Sequence, residues 1–136
     1  DAERILRDGI ARSPAEGELH YDLGLVLAEQ GRMDAATTSL AEAARLLPTR
    51  ARVRYNYALA LQTLGRRPEA EVELLAAQQL DTGDPRIVYA LVTFYVQQQQ
   101  YRRAMAYAEL LVQLQPADSG ARQLLERLRR QVSNRP

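Results

Sequence analysis

The chain holds a single histidine, His20, and no cysteine, so the residue types that most metal centres and nucleophilic sites require are nearly absent. A zinc site needs several nitrogen or sulfur ligands. A serine–histidine–aspartate relay needs an imidazole held between two partners. His20 alone supplies neither, and its place in a helical stretch predicts packing at an inter-helix surface. Glu69, Glu71 and Glu73 alternate at the start of a helical segment. Paired carboxylates do acid–base work only where a pocket moves a pKa, whereas acids at a helix start complement its dipole. The glycines are isolated turn residues rather than a phosphate-cradling loop. The run Gln97 to Gln100 is too short to act as a low-complexity segment. These observations predict no catalytic residue, no metal site and no cofactor.

Bulk composition narrows the remaining classes. The formal net charge is +1 over 136 residues, so no global field favours nucleic acid or an anionic membrane. Apolar residues make up 46% of the chain but are scattered periodically. No run approaches the roughly 18 apolar residues of a membrane span, and no charged start with an apolar block suggests a signal peptide. All 18 basic residues are arginine. With the abundant alanine, this reads as a GC-rich, bacterial coding sequence more readily than as selection for bidentate anion recognition. The absence of cysteine leaves bacterial cytoplasm and periplasm equally open. Charge is uneven along the chain: residues 1–50 sum to −3, 51–84 to −1 and 85–136 to +5. A basic end could steer an acidic partner, although a solvated capping helix accounts for it more simply.

The elements that carry these residues repeat. Tyr21, Tyr55 and Tyr89 stand 34 residues apart, and LHYDLGLVLAEQGRMDAA returns as RYNYALALQTLGRRPEAE and, more loosely, as VYALVTFYVQQQQYRRAM. A fixed period of this length marks stacked helical units. Apolar spacing predicts first helices over roughly 16–29, 51–64 and 85–98 and second helices over roughly 33–46, 67–80 and 101–114. Gly31 and Gly65 follow the first helices, where a left-handed residue is wanted. Pro48 and Pro116 stop the second helices, with Pro14 in the same phase. Asp84 and Pro85 read as a cap and a first helical position. Gly24 faces Ala36, and Ala58 faces Ala70, which lets paired helix axes approach closely. Ala43 and Ala77 recur where the next unit docks.

On these residues the chain resembles the tetratricopeptide repeat family. Unit one matches its pattern with Leu23, Gly24, Ala36, Ala43 and Pro48. Unit two matches with Tyr55, Asn56, Ala58, Ala70 and Ala77, and unit three with Tyr89, Tyr95, Tyr101, Ala104 and Pro116. The resemblance implies an all-α, right-handed superhelical solenoid of antiparallel helix pairs. It divides the chain into a leading half repeat (1–14), full repeats (17–50, 51–84, 85–118) and a capping helix (119–132) ahead of a frayed SNRP tail. Departures fall in three places. His20, Arg54 and Val88 occupy the slot of the family's tryptophan. Gln99 replaces the turn glycine, which suggests a tighter turn or a longer helix. Val92, Ala108 and Leu111 alter the small and bulky slots of unit three, which suggests a different docking of its successor. A start halfway through a repeat reads as a fragment of a longer protein.

In this family the first helices line a concave groove that holds a peptide or a partner helix. The resemblance therefore points to Glu18, Tyr21, Asp22, Leu25 and Glu29 from unit one. Unit two offers Arg52, Tyr55, Asn56, Leu59, Gln62 and Thr63, and unit three Arg86, Tyr89, Thr93, Val96 and Gln97. Gln123 and Arg127 extend the set from the cap. Tyrosine adds contact area with a polar tip, Asn56 can donate to and accept from an extended backbone, and Arg52 and Arg86 can hold a carboxylate. The family's clamp for a C-terminal carboxylate is incomplete: Asn56 and Arg86 match in kind, but lysine is absent and Leu25 replaces an asparagine. The implied partner is another protein or peptide, without nucleic acid or membrane insertion. Weak self-association through the leading half repeat is a further expectation. The second reading is a structural or regulatory appendage of a larger bacterial enzyme, for example a multihaem cytochrome.

Overall fold

A computed structural model describes residues 1–134. Its elements are α1 (Ala2–Arg12), α2 (Gly17–Glu29), α3 (Met33–Leu46), α4 (Ala51–Thr63), α5 (Arg67–Leu80), α6 (Pro85–Gln97), α7 (Tyr101–Leu114) and α8 (Ser119–Ser133). They gather into two compact units, Asp1–Leu80 with α1 to α5, and the residues from Asp81 on with α6 to α8. None of these helices is long and apolar enough to cross a membrane.

In the first unit α2 packs on α3 and α4 on α5, while α1 lies against α2 and α3 against α4. The turn inside each pair has a specific chemistry. Gly31 and Gly65 adopt φ of +76° and +77°. The next residue then reaches back to the helix, with Arg32 N donating to Leu27 O at 3.0 Å and Arg66 N to Leu61 O at 2.9 Å. This ties down carbonyls that a helix end leaves without partners. Gly24 explains the closeness of the pair: a Cβ there would stand 2.7 Å from Leu40 Cγ. Ala36, Ala58 and Ala70 are fully buried. Around them Leu23 and Leu27 pack with Leu6 and Ile10 of α1, and Leu40, Ala43, Val53 and Ala60 form a second cluster with Tyr21.

The second unit corrects one expectation. Gln99 produces neither a tighter turn nor a longer helix. It takes φ 59°, Gln100 N donates to Tyr95 O at 2.9 Å, and α6 is 13 residues long, as are α2 and α4. A residue with a Cβ has been forced into the geometry of Gly31 and Gly65, because the 6→1 hydrogen bond demands it. Asp84 caps α6 through Arg86 N at 2.9 Å, with Pro85 in the first turn, as the sequence predicts. Leu111 of α7 packs with Val88 of α6 and Ala121 of α8. Tyr95 stacks on Tyr107 with ring centroids 5.9 Å apart and meets the edge of Phe94. In α8, Ala121, Leu125 and Leu128 are buried. Of the expected frayed tail, Ser133 ends α8 and Asn134 caps it; Arg135 and Pro136 lie outside the described residues.

Two stability outcomes follow. Gln99→Gly removes the left-handed strain at the cost of some chain entropy, and should raise stability by about 0.5–1 kcal/mol in urea denaturation. A lower midpoint would show that Gln99 is held by other contacts. Ala70→Leu overfills the contact with Ala58 and should lower stability by about 1–3 kcal/mol; an unchanged thermal melt would refute that pairing.

Candidate interaction face

The first helices of the first unit bring Tyr21 and Asn56 together. Asn56 Nδ2 donates to Tyr21 Oη at 2.9 Å and to the Arg52 carbonyl at 3.0 Å. The Asn56 amide is thereby engaged within the fold, once across from α4 to α2 and once on its own helix. Tyr21 is only 9% exposed and belongs to the core cluster of this unit. The pair therefore sets the spacing of the two helices, while Asn56 Oδ1 remains an acceptor. Tyr55 and Leu59 are half-buried beside it and Arg52 is exposed. Thr63 lies one turn beyond Leu59 and bonds to its carbonyl.

In the second unit α6 presents Arg86, Tyr89 and Thr93 along one side. Tyr89 is 53% exposed, a large aromatic surface left open. Thr93 Oγ1 donates to the Ala90 carbonyl at 3.0 Å. The Arg86 guanidinium is held by Asp84, through Nε at 3.2 Å and Nη2 at 3.0 Å. The residue proposed to receive a carboxylate already holds one from its own helix cap.

A second set of contacts has the repeat's own phase and escaped the sequence reading. His20 Nε2 donates to the Pro14 carbonyl at 2.8 Å and Arg54 Nε to the Pro48 carbonyl at 2.9 Å. Arg122 Nη1 makes the same bond to the Pro116 carbonyl. Each donor occupies the same slot of its first helix, six residues after the proline that ends the preceding helix. The signal was present, since both the prolines and the donors recur in register. Arg54 also binds Glu73 Oε1 of α5 at 2.9 Å, with the two side chains 24% and 17% exposed. In the second unit Val88 takes this slot and packs in the core instead.

The charges are arranged for structure. Arg66 grips Glu69 through two hydrogen bonds, which hold the Glu69 carboxyl below its usual range. Arg45 does the same to Glu42, and Arg32 with Arg7 to Glu3. Carboxylates held ionised are the reverse of what a general acid needs. Glu69 and Glu73 face different arginines, so the alternating acids do not form a pair. Burial, aided by the Glu73 charge, pushes the Tyr57 phenol up. Among the described residues no three of His, Asp and Glu converge in a way that could hold a metal ion.

Residues 85–118 match the family model for the tetratricopeptide repeat. The chain has the tetratricopeptide repeat (TPR) fold. Solved TPR structures superpose over most of it. MamA residues 41 to the end, from Desulfovibrio magneticus RS-1, gives a TM-score of 0.82 at 22% identity, covering 93% of this chain and 71% of that one. The Arabidopsis OM64 TPR domain gives 0.74 at 22% identity, covering 84% and 94%. The first TPR domain of Spaghetti (RPAP3), bound to the HSP90 peptide SRMEEVD, gives 0.78 at 18% identity, covering 87% and 94%. No curated protein sequence matches the chain. TPR domains are protein–protein interaction modules.

Replacing Arg54 tests the internal use. Arg54→Met leaves the Pro48 carbonyl and the mostly buried Glu73 without their donor and should cost about 1–2 kcal/mol. Arg54→Lys, a point charge without the fork, should recover only part of that loss in chemical denaturation. Full recovery by lysine would show that charge alone matters there.

Proposed function

We propose that this chain is a protein-binding TPR module, without catalysis, that holds a peptide or helix of a partner on its first-helix faces. In the first unit the contact surface is Arg52, Tyr55 and Leu59, with Asn56 Oδ1 as an acceptor and Tyr21 behind it as the positioning residue. In the second unit it is Tyr89 and Thr93 on α6, beside Arg86. The observation that carries the reading is Tyr89, an aromatic 53% exposed on a first helix. A rigid tyrosine is an efficient anchor because little side-chain entropy is lost on contact.

The partner segment is internal and amphipathic rather than a free C-terminus. A carboxylate clamp needs donors that are available, and here Arg86 is engaged by Asp84 and both Asn56 amide hydrogens are used within the fold. The peptide held by the Spaghetti domain is therefore a poor guide to this chain's ligand.

A capture experiment separates the faces from the rest of the surface. Wild type, Tyr55→Ala/Leu59→Ala and Tyr89→Ala serve as bait, with Val72→Ala as control, since Val72 is an exposed apolar residue on α5. After melts confirm folding, the two face variants should recover partner about tenfold less well, with the Val72 variant unchanged. Equal recovery by all four would end the proposal.

A further inference from the structure

The last helix repeats the phase of the earlier first helices but changes its chemistry. Gly24, Ala58 and Val92 recur as Glu126, and Leu27, Leu61 and Tyr95 recur as Arg129. In α2, α4 and α6 these positions are buried, on the side where each helix receives its second helix. In α8 both are charged and exposed. The same side lines a cleft of about 530 Å³, with Val112 of α7 and Leu125 at its floor and Ser119, Arg122, Glu126 and Arg129 around it. Arg129 pairs with no described residue, and Arg122 gives one nitrogen to the Pro116 carbonyl while the rest of its fork stays open. Glu126 leans on Arg130 at 4.0 Å. Within Ser119–Ser133 there are four arginines and one acid.

We propose that this cleft docks an acidic amphipathic helix of a partner protein, on the side of α8 that corresponds to the α3-facing side of α2 but farther from the helix axis, because Glu126 stands where Gly24 allows close approach. Arg122 and Arg129 lie seven residues apart, about 10.5 Å along a helix. A second helix carrying carboxylates at i and i+7 places one opposite each guanidinium, where planar two-point recognition is available. Apolar residues at i+3 and i+4 of that helix then cover Val112 and Leu125. The charge complementarity selects an acidic partner over a basic or neutral one. Glu126, too large for the close approach that Gly24 allows, leans on Arg130 and leaves Arg122 and Arg129 as the charges that select the partner. This surface is distinct from the Tyr89 side of α6 and does not depend on it.

The probe is a fluorescein-labelled alanine-based helix of about 18 residues with Glu at i and i+7 and Leu at i+3 and i+4, beside a twin with Lys for both Glu. Anisotropy titrations with the wild-type chain should show saturable binding of the acidic helix, weakening with salt, and none of the Lys twin. Arg129→Glu should lose at least about tenfold for the acidic helix and gain the Lys twin, whereas Tyr89→Ala should bind as wild type. Amide shifts should move in α7 and α8. Equal binding of the two helices, an unchanged Arg129→Glu titration, no binding below millimolar, or shifts centred on the Tyr89 side of α6 would each overturn the proposal. So would tighter binding to phosphatidylserine vesicles than to the helix, which would assign the arginines to a membrane surface.

Discussion

Two helices can approach as α2 and α3 do only where one of them has almost no side chain. Gly24 meets that demand: a Cβ would collide with Leu40. The rest of the unit follows from that contact. Close approach requires a connection short enough to return the chain at once, and the left-handed residue with its backward hydrogen bond supplies one in the described turns. The backbone bonds, rather than the residue type, define the turn. Gln99 shows this, since it accepts a conformation that disfavours it by about 1–2 kcal/mol instead of altering the helix length.

The period was legible in the sequence because it is written in residues with one structural use each. Glycines that must turn, prolines that must stop a helix and alanines that must fit between axes recur in register, and each restricts the backbone or the volume directly. Helix bounds read from apolar spacing lie close to those observed, since α2 begins at Gly17 and α5 ends at Leu80. At position 99 the absence of glycine does not mean absence of the geometry, since Gln99 takes φ 59°. Strain can be carried when neighbouring contacts over-determine it.

The face was less legible, and the reason is directional. Position on a helix says which way a Cβ points, but not whether a polar atom at its end finds a partner inside. Tyr21 and Tyr55 occupy equivalent slots, yet only Tyr21 is in the core, packed with Leu40, Ala43 and Val53 while Asn56 of α4 reaches its hydroxyl. Arg86 stands in a groove slot by its spacing, but its own cap, Asp84, holds the guanidinium. Both outcomes depend on long side chains choosing among nearby acceptors, and spacing does not encode that choice.

The exclusive use of arginine also looks different once the contacts are known. The count of arginines does not explain their placement. Arg54 reaches a proline carbonyl with Nε and a carboxylate on another helix with Nη1, a pair of bonds in two directions from one rigid plane. An ammonium group has donors but no such fixed fork. Arg54, Arg122 and His20 each aim a donor at the carbonyl of the proline that stops the preceding helix. Where the proline is missing, at Thr82, the donor is missing too, and Val88 returns to packing. Proline and donor therefore form one structural unit, since the proline ends a helix and the donor six residues later satisfies its carbonyl.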